Sequence, residues 1–393
     1  MKMLTFRRLP VAPFLIALAF AGAVTPSLAA QPTVAANTSA SEKAYEAAVA
    51  KVKTGDYAGA LKIVEPFRKE PSTSGHTLSL LGVLYLETGH PADALAVLSP
   101  LAASDHADAA VLYNAGRAAS AAGDPLKATS YFQRAIKASK TVSPASRELG
   151  MLYASEGRAE EAFGLLFDWA EAHPDEIEPR TMAALMALRV GHPEVADKLI
   201  NGLSMNNPGV RLLGAGIAVA VGDGQGAIEL LAPLVVNHPA AMEVDIHKTQ
   251  AEAYLRMGDP KSALAVLTPK AAITPTLTLL RATAQRQTGD AVGALATLKP
   301  LADKLPDDSR GLPDPRLASG VAVEYARSLT ATGAVPAALP YFEKATRINP
   351  LSWPAWLALA DAYDHAGRSN DAVAARAKAD GLHPKTPPPA AAK

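Results

Sequence analysis

LSLLGVLYLETGHPADALAVLSPL, residues 78–101, is the stretch whose reading decides the fold. Its apolar residues recur at helical intervals on both sides of Gly89, which predicts two short helices joined by a tight turn. Leu78, Leu81, Gly82 and Tyr85 share the inner face of the first helix, and Ala94, Leu98 and Leu101 share one face of the second. Aligned on Gly89, the same plan recurs at Gly55, Gly123, Gly157, Gly191, Gly222, Gly258, Gly289, Gly333 and Gly367. Alanine stands five residues after every one of these glycines, from Ala60 and Ala94 to Ala372. Glycine or alanine stands seven residues before each, from Ala48 and Gly82 through Gly116 and Gly150 to Ala360. Three fixed offsets kept in ten segments exceed coincidence, even in an alanine-rich chain.

Successive glycines lie 34 residues apart for four steps, then 31, 36, 31, 44 and 34. A 34-residue helix–turn–helix period with this pattern resembles the tetratricopeptide repeat family, from about Ser41 to Pro384. The resemblance implies an all-α, right-handed superhelical solenoid of about ten repeats. Repeats 1–8 would occupy 41–306, an inserted linker 307–319, and repeats 9–10 residues 320–384, with a disordered tail at 385–393.

Composition fits a solenoid, whose core forms between neighbouring units: 49% of residues are hydrophobic but only 5% aromatic. The 38 basic and 38 acidic residues balance, which argues against a nucleic-acid partner. Absence of cysteine excludes disulfides, thiol nucleophiles, cysteine metal sites and a lipidated cysteine.

Residues 1–30 read as a secretory signal peptide: Lys2, Arg7 and Arg8 precede an apolar run from Val11 to Val24, then Ser27-Leu28-Ala29-Ala30 offers small residues for cleavage. A flexible leader at 31–40 would follow. Export to the periplasm is therefore expected, the lesser reading being an inner-membrane anchor kept by an uncleaved N-terminus. No later run is long and apolar enough to span a bilayer.

Within each unit, glycine supplies the left-handed residue that ends the first helix. Asp or His then follows in most units, at the N-cap of the second helix, and Pro91, Pro125, Pro193 and Pro260 take its first position. Pro66, Pro100, Pro233, Pro269 and Pro300, each eleven residues after a turn glycine, should kink or stop their helices. The small residue seven before the glycine permits close approach, and the alanine five after it is expected to face it. Repeat six should have a short first helix, 210–221, weakened by Gly214 and Gly216. The 306–316 segment should break the stack, and Arg376, where other units carry a large apolar residue, suits a terminal cap.

Catalytic signals are poor. The nine histidines fall mostly at repeat punctuation, and no HExxH, paired metal-spaced histidines or nucleophile motif occurs. Gly222-Asp223-Gly224-Gln225-Gly226 coincides with a repeat turn and lacks the preceding strand of a phosphate loop. Asp307, Asp308 and Asp314 follow no calcium-loop spacing. A non-enzymatic chain with no cofactor is expected.

In the resembled family the first helices line a concave groove through positions thirteen, ten, six, three and two before the turn glycine. Carried onto this chain, that implies Tyr113, Arg117, Arg147, Met151, Arg189, Lys248, Arg256, Arg286 and Arg327 as groove residues, with Asn114 added beside Tyr113 for its likeness to a clamp residue. Counted at those positions, repeats three to five hold three arginines against one glutamate, the most basic part of the groove. Guanidinium groups beside aromatic and Met surface suit an extended peptide with carboxylates or an anionic exopolysaccharide. Asn114 and Arg117 echo one fragment of the family's carboxylate clamp. Exported members of the family imply a scaffold for protein partners in an envelope secretion or assembly complex.

Overall fold

Ten turn glycines adopt the left-handed backbone, with φ between +72° and +92°, and each separates the two helices of a pair. The computed structural model describes residues 40–268, 274–310, 312 and 314–382. The signal peptide, nearly all of the leader, Pro269 and the 385–393 tail lie outside the described residues.

The pairs in chain order are α1 (Ala40–Lys53) with α2 (Tyr57–Val64), α3 (Gly75–Glu87) with α4 (Pro91–Ala102), and α5 (Ala109–Ala121) with α6 (Pro125–Ala138). Then come α7 (Pro144–Ser155) with α8 (Ala159–Ala172), α9 (Ile177–Val190) with α10 (Pro193–Ile200), and α11 (Pro208–Val221) with α12 (Gly224–Val236). The last four are α13 (Glu243–Arg256) with α14 (Pro260–Val266), α15 (Pro275–Gln287) with α16 (Ala291–Ala302), α17 (Pro315–Ala331) with α18 (Val335–Ile348), and α19 (Trp353–His365) with α20 (Ser369–Leu382). The described residues contain no strand. Each second helix packs between its own first helix and the next one, and successive first helices lie side by side. The result is an all-α superhelical stack.

Local chemistry explains each turn. At Gly89 the backbone N–H of Gly89 bonds the Leu86 carbonyl at 3.1 Å and that of His90 bonds the Tyr85 carbonyl at 2.7 Å, the double closure that a left-handed residue after a helix permits. An aspartate then caps the second helix: Asp56 accepts from the Gly59 N–H at 2.8 Å, and Asp124, Asp223, Asp259 and Asp290 do likewise. His90 and His192 hold the same place but make no side-chain cap, so histidine serves there without the aspartate's bond.

The close approach inside each pair is real, but its partner differs from the one expected. A Cβ added at Gly82, Gly116 or Gly150 would lie 2.4 Å from Leu98 Cγ, 2.5 Å from Phe132 Cδ1 and 2.6 Å from Leu166 Cγ. The residue facing the small position is therefore the large one nine after the turn glycine. The alanines five after it are buried as well. Nine units bury this large side chain, from Val64 and Leu98 to Phe342, each at 5% exposure or less. The tenth carries Arg376, half exposed and paired with Asp361 and Asp364 of α19, as a capping position allows.

Two further expectations change. The first helix of unit six is not short: α11 spans 14 residues, capped by Asn207, which accepts from the Gly209 and Val210 N–H groups. Nor does the inserted segment break the stack. Helix α17 starts at Pro315, inside the stretch read as linker, and packs on α15 and α16. Lys344 holds the insertion against α18 by bonding the Leu305 carbonyl at 3.2 Å and Asp307 at 3.1 Å. Among the late prolines, Pro66 ends α2 in a 3-10 turn at Glu65–Lys69, whereas Pro100, Pro233 and Pro300 sit inside helices that end two or three residues later.

Two glycine substitutions separate packing from propensity. Gly116→Ala, forced against Phe132, should destabilise by roughly 1–3 kcal/mol through overpacking. Gly164→Ala, in the interior of α8 with nothing within 4 Å of the added carbon, should stabilise by about 1 kcal/mol. Urea midpoints followed by circular dichroism should move in opposite directions.

Candidate functional site

First helices occupy the inner side of the superhelix, so their groove-facing positions determine what the channel presents. In α5 and α7 the charged ones among those positions are already engaged. Arg117 donates to Glu87 at 3.1 Å and its guanidinium lies 5.9 Å from the Tyr113 ring centre. Tyr113 in turn packs against Phe132, and burial, followed by the Glu148 charge, raises its hydroxyl pKa. Arg147 is held at 2.6 Å by Glu148 and at 3.4 Å by Glu176, over the face of Trp169. Trp169 donates to Glu176 at 3.1 Å and stacks on His173. Burial works against the Arg147 charge, but the Glu148 bond and neighbouring carboxylates outweigh it and raise its pKa. The basic character read from the five offsets alone is therefore offset by Glu87, Glu148 and Glu176. Asn114 and Met151 are half-buried beside this network.

The open part of the channel lies further along. A cavity of about 1160 Å³ forms on the inner faces of α9, α11 and α13, with Leu280 of α15 at one end. All five groove offsets of all three helices line it: Glu178, Thr181, Leu185, Leu188 and Arg189 from α9, and Gly209, Leu212, Gly216, Val219 and Ala220 from α11. Asp245, Lys248, Glu252, Leu255 and Arg256 complete the set from α13. A second cavity of about 740 Å³ lies between α15, α17 and α19, against α18, with Arg286, Arg327, Asp361 and His365 at its edge and Leu339 and Phe342 inside.

Gly216 accounts for the larger cavity. It stands six before its turn glycine, where other units place Arg117, Met151, Leu185, Glu252 or Arg327. The nearest atom to a Cβ built there is Leu188 Cδ2, at 3.4 Å, so the missing side chain leaves open volume. The sequence marks Gly216 as a weakness in its helix; the structure shows it as the floor of the cavity. The apolar residues of α11 carry no charge signal in the sequence, since α11 contributes no cation to the cavity wall. The signal was present as a small residue at a position that is elsewhere long.

Charges ring this apolar floor. Lys248 and Glu252 approach to 4.0 Å. Glu252 is enclosed on most sides although a third of its side chain stays open to the channel; desolvation raises its carboxyl pKa against the lowering influence of Lys248 and Arg256. Arg189 and Arg256 are exposed at the cavity edge. Arg316, at the start of α17, donates to the Arg189 backbone carbonyl at 3.0 Å across 127 residues of sequence. That carbonyl belongs to the last turn of α9, where orphan acceptors and the helix dipole both favour a cation. The contact brings unit nine against unit five.

At the second cavity, Arg286 is not free. Its Nε and Nη2 donate to Glu324, at 2.5 and 3.4 Å, and the Glu324 side chain is only 5% exposed. This pair ties α15 to α17 across the insertion. Arg327 is exposed at the cavity edge. A repeated tie was also not read from the sequence. Tyr85 donates to Glu65, Tyr153 accepts from Gln133, and Tyr363 donates to Glu343, each across 20 residues and at 2.9–3.1 Å. A first-helix tyrosine thus reaches back to the preceding second helix, or to the 3-10 turn that continues it, in three separate units. Among the described residues no cluster of three metal-ligating side chains forms, and no helix is long and apolar enough to cross a membrane.

Models of the tetratricopeptide repeat match residues 79–143, 113–177 and 329–393. Among solved structures, a tetratricopeptide repeat protein from Parabacteroides merdae is 16% identical, over 66% of this chain and 91% of its own, with a TM-score of 0.37. The IFIT1 monomeric mutant with Gppp-AAAA is 15% identical over 88% and 90%, at 0.45, and MamA is 21% identical over 50% and 96%, at 0.35. Against the Naa15/Naa10 structure bound to HypK-THB the identity is 13% and the TM-score 0.39; the match covers 88% of this chain but 64% of that one. No curated protein matches the chain.

Two measurements test the electrostatics. Arg286→Met should cost about 3 kcal/mol by leaving Glu324 buried and unpaired, and adding Glu324→Leu should recover most of it, read by urea unfolding. Because the folded state raises the Glu252 pKa, its protonated form favours folding and ionisation works against it. Glu252→Gln should therefore raise the thermal midpoint at neutral pH, and the gain should vanish below about pH 4, where the unfolded carboxyl is also protonated.

Proposed function

Because the chain is a tetratricopeptide repeat protein, we propose that it acts as a non-catalytic adaptor that docks a segment of a partner protein against α9, α11 and α13. The repeats support a protein-binding scaffold, and scaffolds of this family are generally non-catalytic. The observation that carries the finer reading is the apolar cavity opened by Gly216, floored by Leu185, Leu212 and Leu255. Pockets of several hundred Å³ with apolar walls and a few polar groups are the usual form of a binding site.

The candidate groove residues divide within this reading. Arg189, Lys248 and Arg256 border the site. Arg117 and Arg147, with Tyr113, Asn114 and Met151, shape the channel leading to it. Arg286 and Arg327 border the second cavity. An anionic polysaccharide finds less support, since Arg117, Arg147 and Arg286 already meet carboxylates.

Export follows from the basic and apolar pattern of residues 1–30, and the proposed workplace is a cell-envelope assembly in the periplasm. N-terminal sequencing of the protein from an envelope fraction should begin near Gln31.

Gly216→Leu tests the docking site. It fills the cavity and gains about 1 kcal/mol of helix propensity, so the thermal midpoint should hold or rise. A photo-crosslinker at Leu212 should capture a partner protein in the native chain and lose it in Gly216→Leu. The same probe at Leu126, 83% exposed on α6, should capture nothing comparable. Capture that persists in Gly216→Leu would refute the site.

A further inference from the structure

The chemistry of the docked segment is legible in how charge is distributed around the cavity. Helices α9, α11 and α13 run in the same direction, because each is followed by one returning helix before the next begins. Their N-terminal ends therefore form one edge of the floor and their C-terminal ends the other. The N-terminal edge carries Glu178 and Asp245, thirteen before the turn glycines. The C-terminal edge carries Arg189 and Arg256, two before them, and Arg316 donates to the Arg189 carbonyl. In α11 these two positions are Gly209 and Ala220, so the central helix interrupts neither edge with charge. The helix dipoles point the same way: acidic groups sit at N-termini and basic groups at C-termini, where each is favoured.

The width between the edges selects the shape of the ligand. Eleven residues of helix separate the two charged positions, about 16 Å at 1.5 Å per residue. An extended strand occupies about 5 Å and would meet one edge while missing the other. A helix is roughly 10–12 Å across with its side chains, so charged side chains on its two flanks reach both edges. Its length is set by the floor: three helices at interaxial distances of 8–10 Å give a run of about 20 Å, or roughly 13 residues.

Resting on the docking site proposed above, we propose that the partner segment is an amphipathic helix of another protein, lying across α9, α11 and α13. Its apolar stripe faces Leu185, Leu212 and Leu255. One flank bears Lys or Arg toward Glu178 and Asp245, and the opposite flank bears Asp or Glu toward Arg189 and Arg256. This is the helix-in-groove mode of recognition, with the flanking charges fixing which way the helix lies.

Four synthetic 14-residue peptides with the same leucine stripe, titrated calorimetrically against the full chain at low and high salt, test the proposal. The first has one Lys flank and one Glu flank, the second two Glu flanks, the third two Lys flanks, and the fourth repeats the first with a central proline. The split-flank helix should bind at least tenfold more tightly than the others, with the advantage shrinking in salt. The double variant Glu178→Lys, Asp245→Lys should transfer the preference to the peptide with two Glu flanks, and melting curves confirm that it folds. Equal affinity for the three helical peptides, or no transfer in the variant, overturns the charge assignment. Equal affinity for the proline peptide overturns the helical occupant in favour of an extended one. Self-association of the chain, seen in sedimentation and lost in Gly216→Leu, would make a second copy the occupant and also overturns it. Binding of the split-flank peptide that Gly216→Leu leaves intact indicates that the docking site itself is wrong, a separate failure from any of these.

Discussion

The spacing between the two helices of a pair governs everything else. A glycine or alanine seven residues before each turn lets a Leu, Phe, Val or Ile from nine residues after it press against the first helix backbone. Burying such a side chain contributes about 1.5–3 kcal/mol, and the gain recurs in nine of the ten units, where the large residue is at most 5% exposed. Its geometry recurs as well. With every pair closed over a small residue, each unit stacks on the last, and the first helices are delivered to the inner side with their five groove positions in register. The channel is a by-product of that fixed spacing.

Polar ties then adjust the stack unit by unit. The tyrosines Tyr85, Tyr153 and Tyr363 lock a first helix to the preceding second helix, and arginines stack on their rings at 3.7–5.3 Å. The buried Arg286–Glu324 pair carries the stack across an insertion that adds ten residues to the usual period. In α5 and α7 the same chemistry consumes the cations that sequence position alone would offer to a ligand.

The repeat architecture was legible because it rests on residues whose role is local. The turn glycines, the capping aspartates and the first-position prolines each act within a few residues of themselves, so a single sequence displays them. The groove offsets were legible for the same reason, through the period of the helix. What escaped depends on contacts between units. That Glu148 and Glu176 pair with Arg147, and that Arg316 reaches Arg189, follow from how the stack curves, which no single repeat encodes. Gly216 lies between these cases: its offset was visible, but the space it leaves became apparent only with α9 and α13 on either side.

The Arg316 contact gives the molecule a mechanical property that a plain stack lacks. A superhelix whose units touch only their neighbours behaves as a spring, free to lengthen along its axis by small changes at every junction. One charge-assisted hydrogen bond between the start of α17 and the end of α9 clips unit nine of that spring to unit five. At a solvent-exposed site such a clip holds about 1–2 kcal/mol, enough to set the resting length and little enough to yield when something bulky pushes the coils apart.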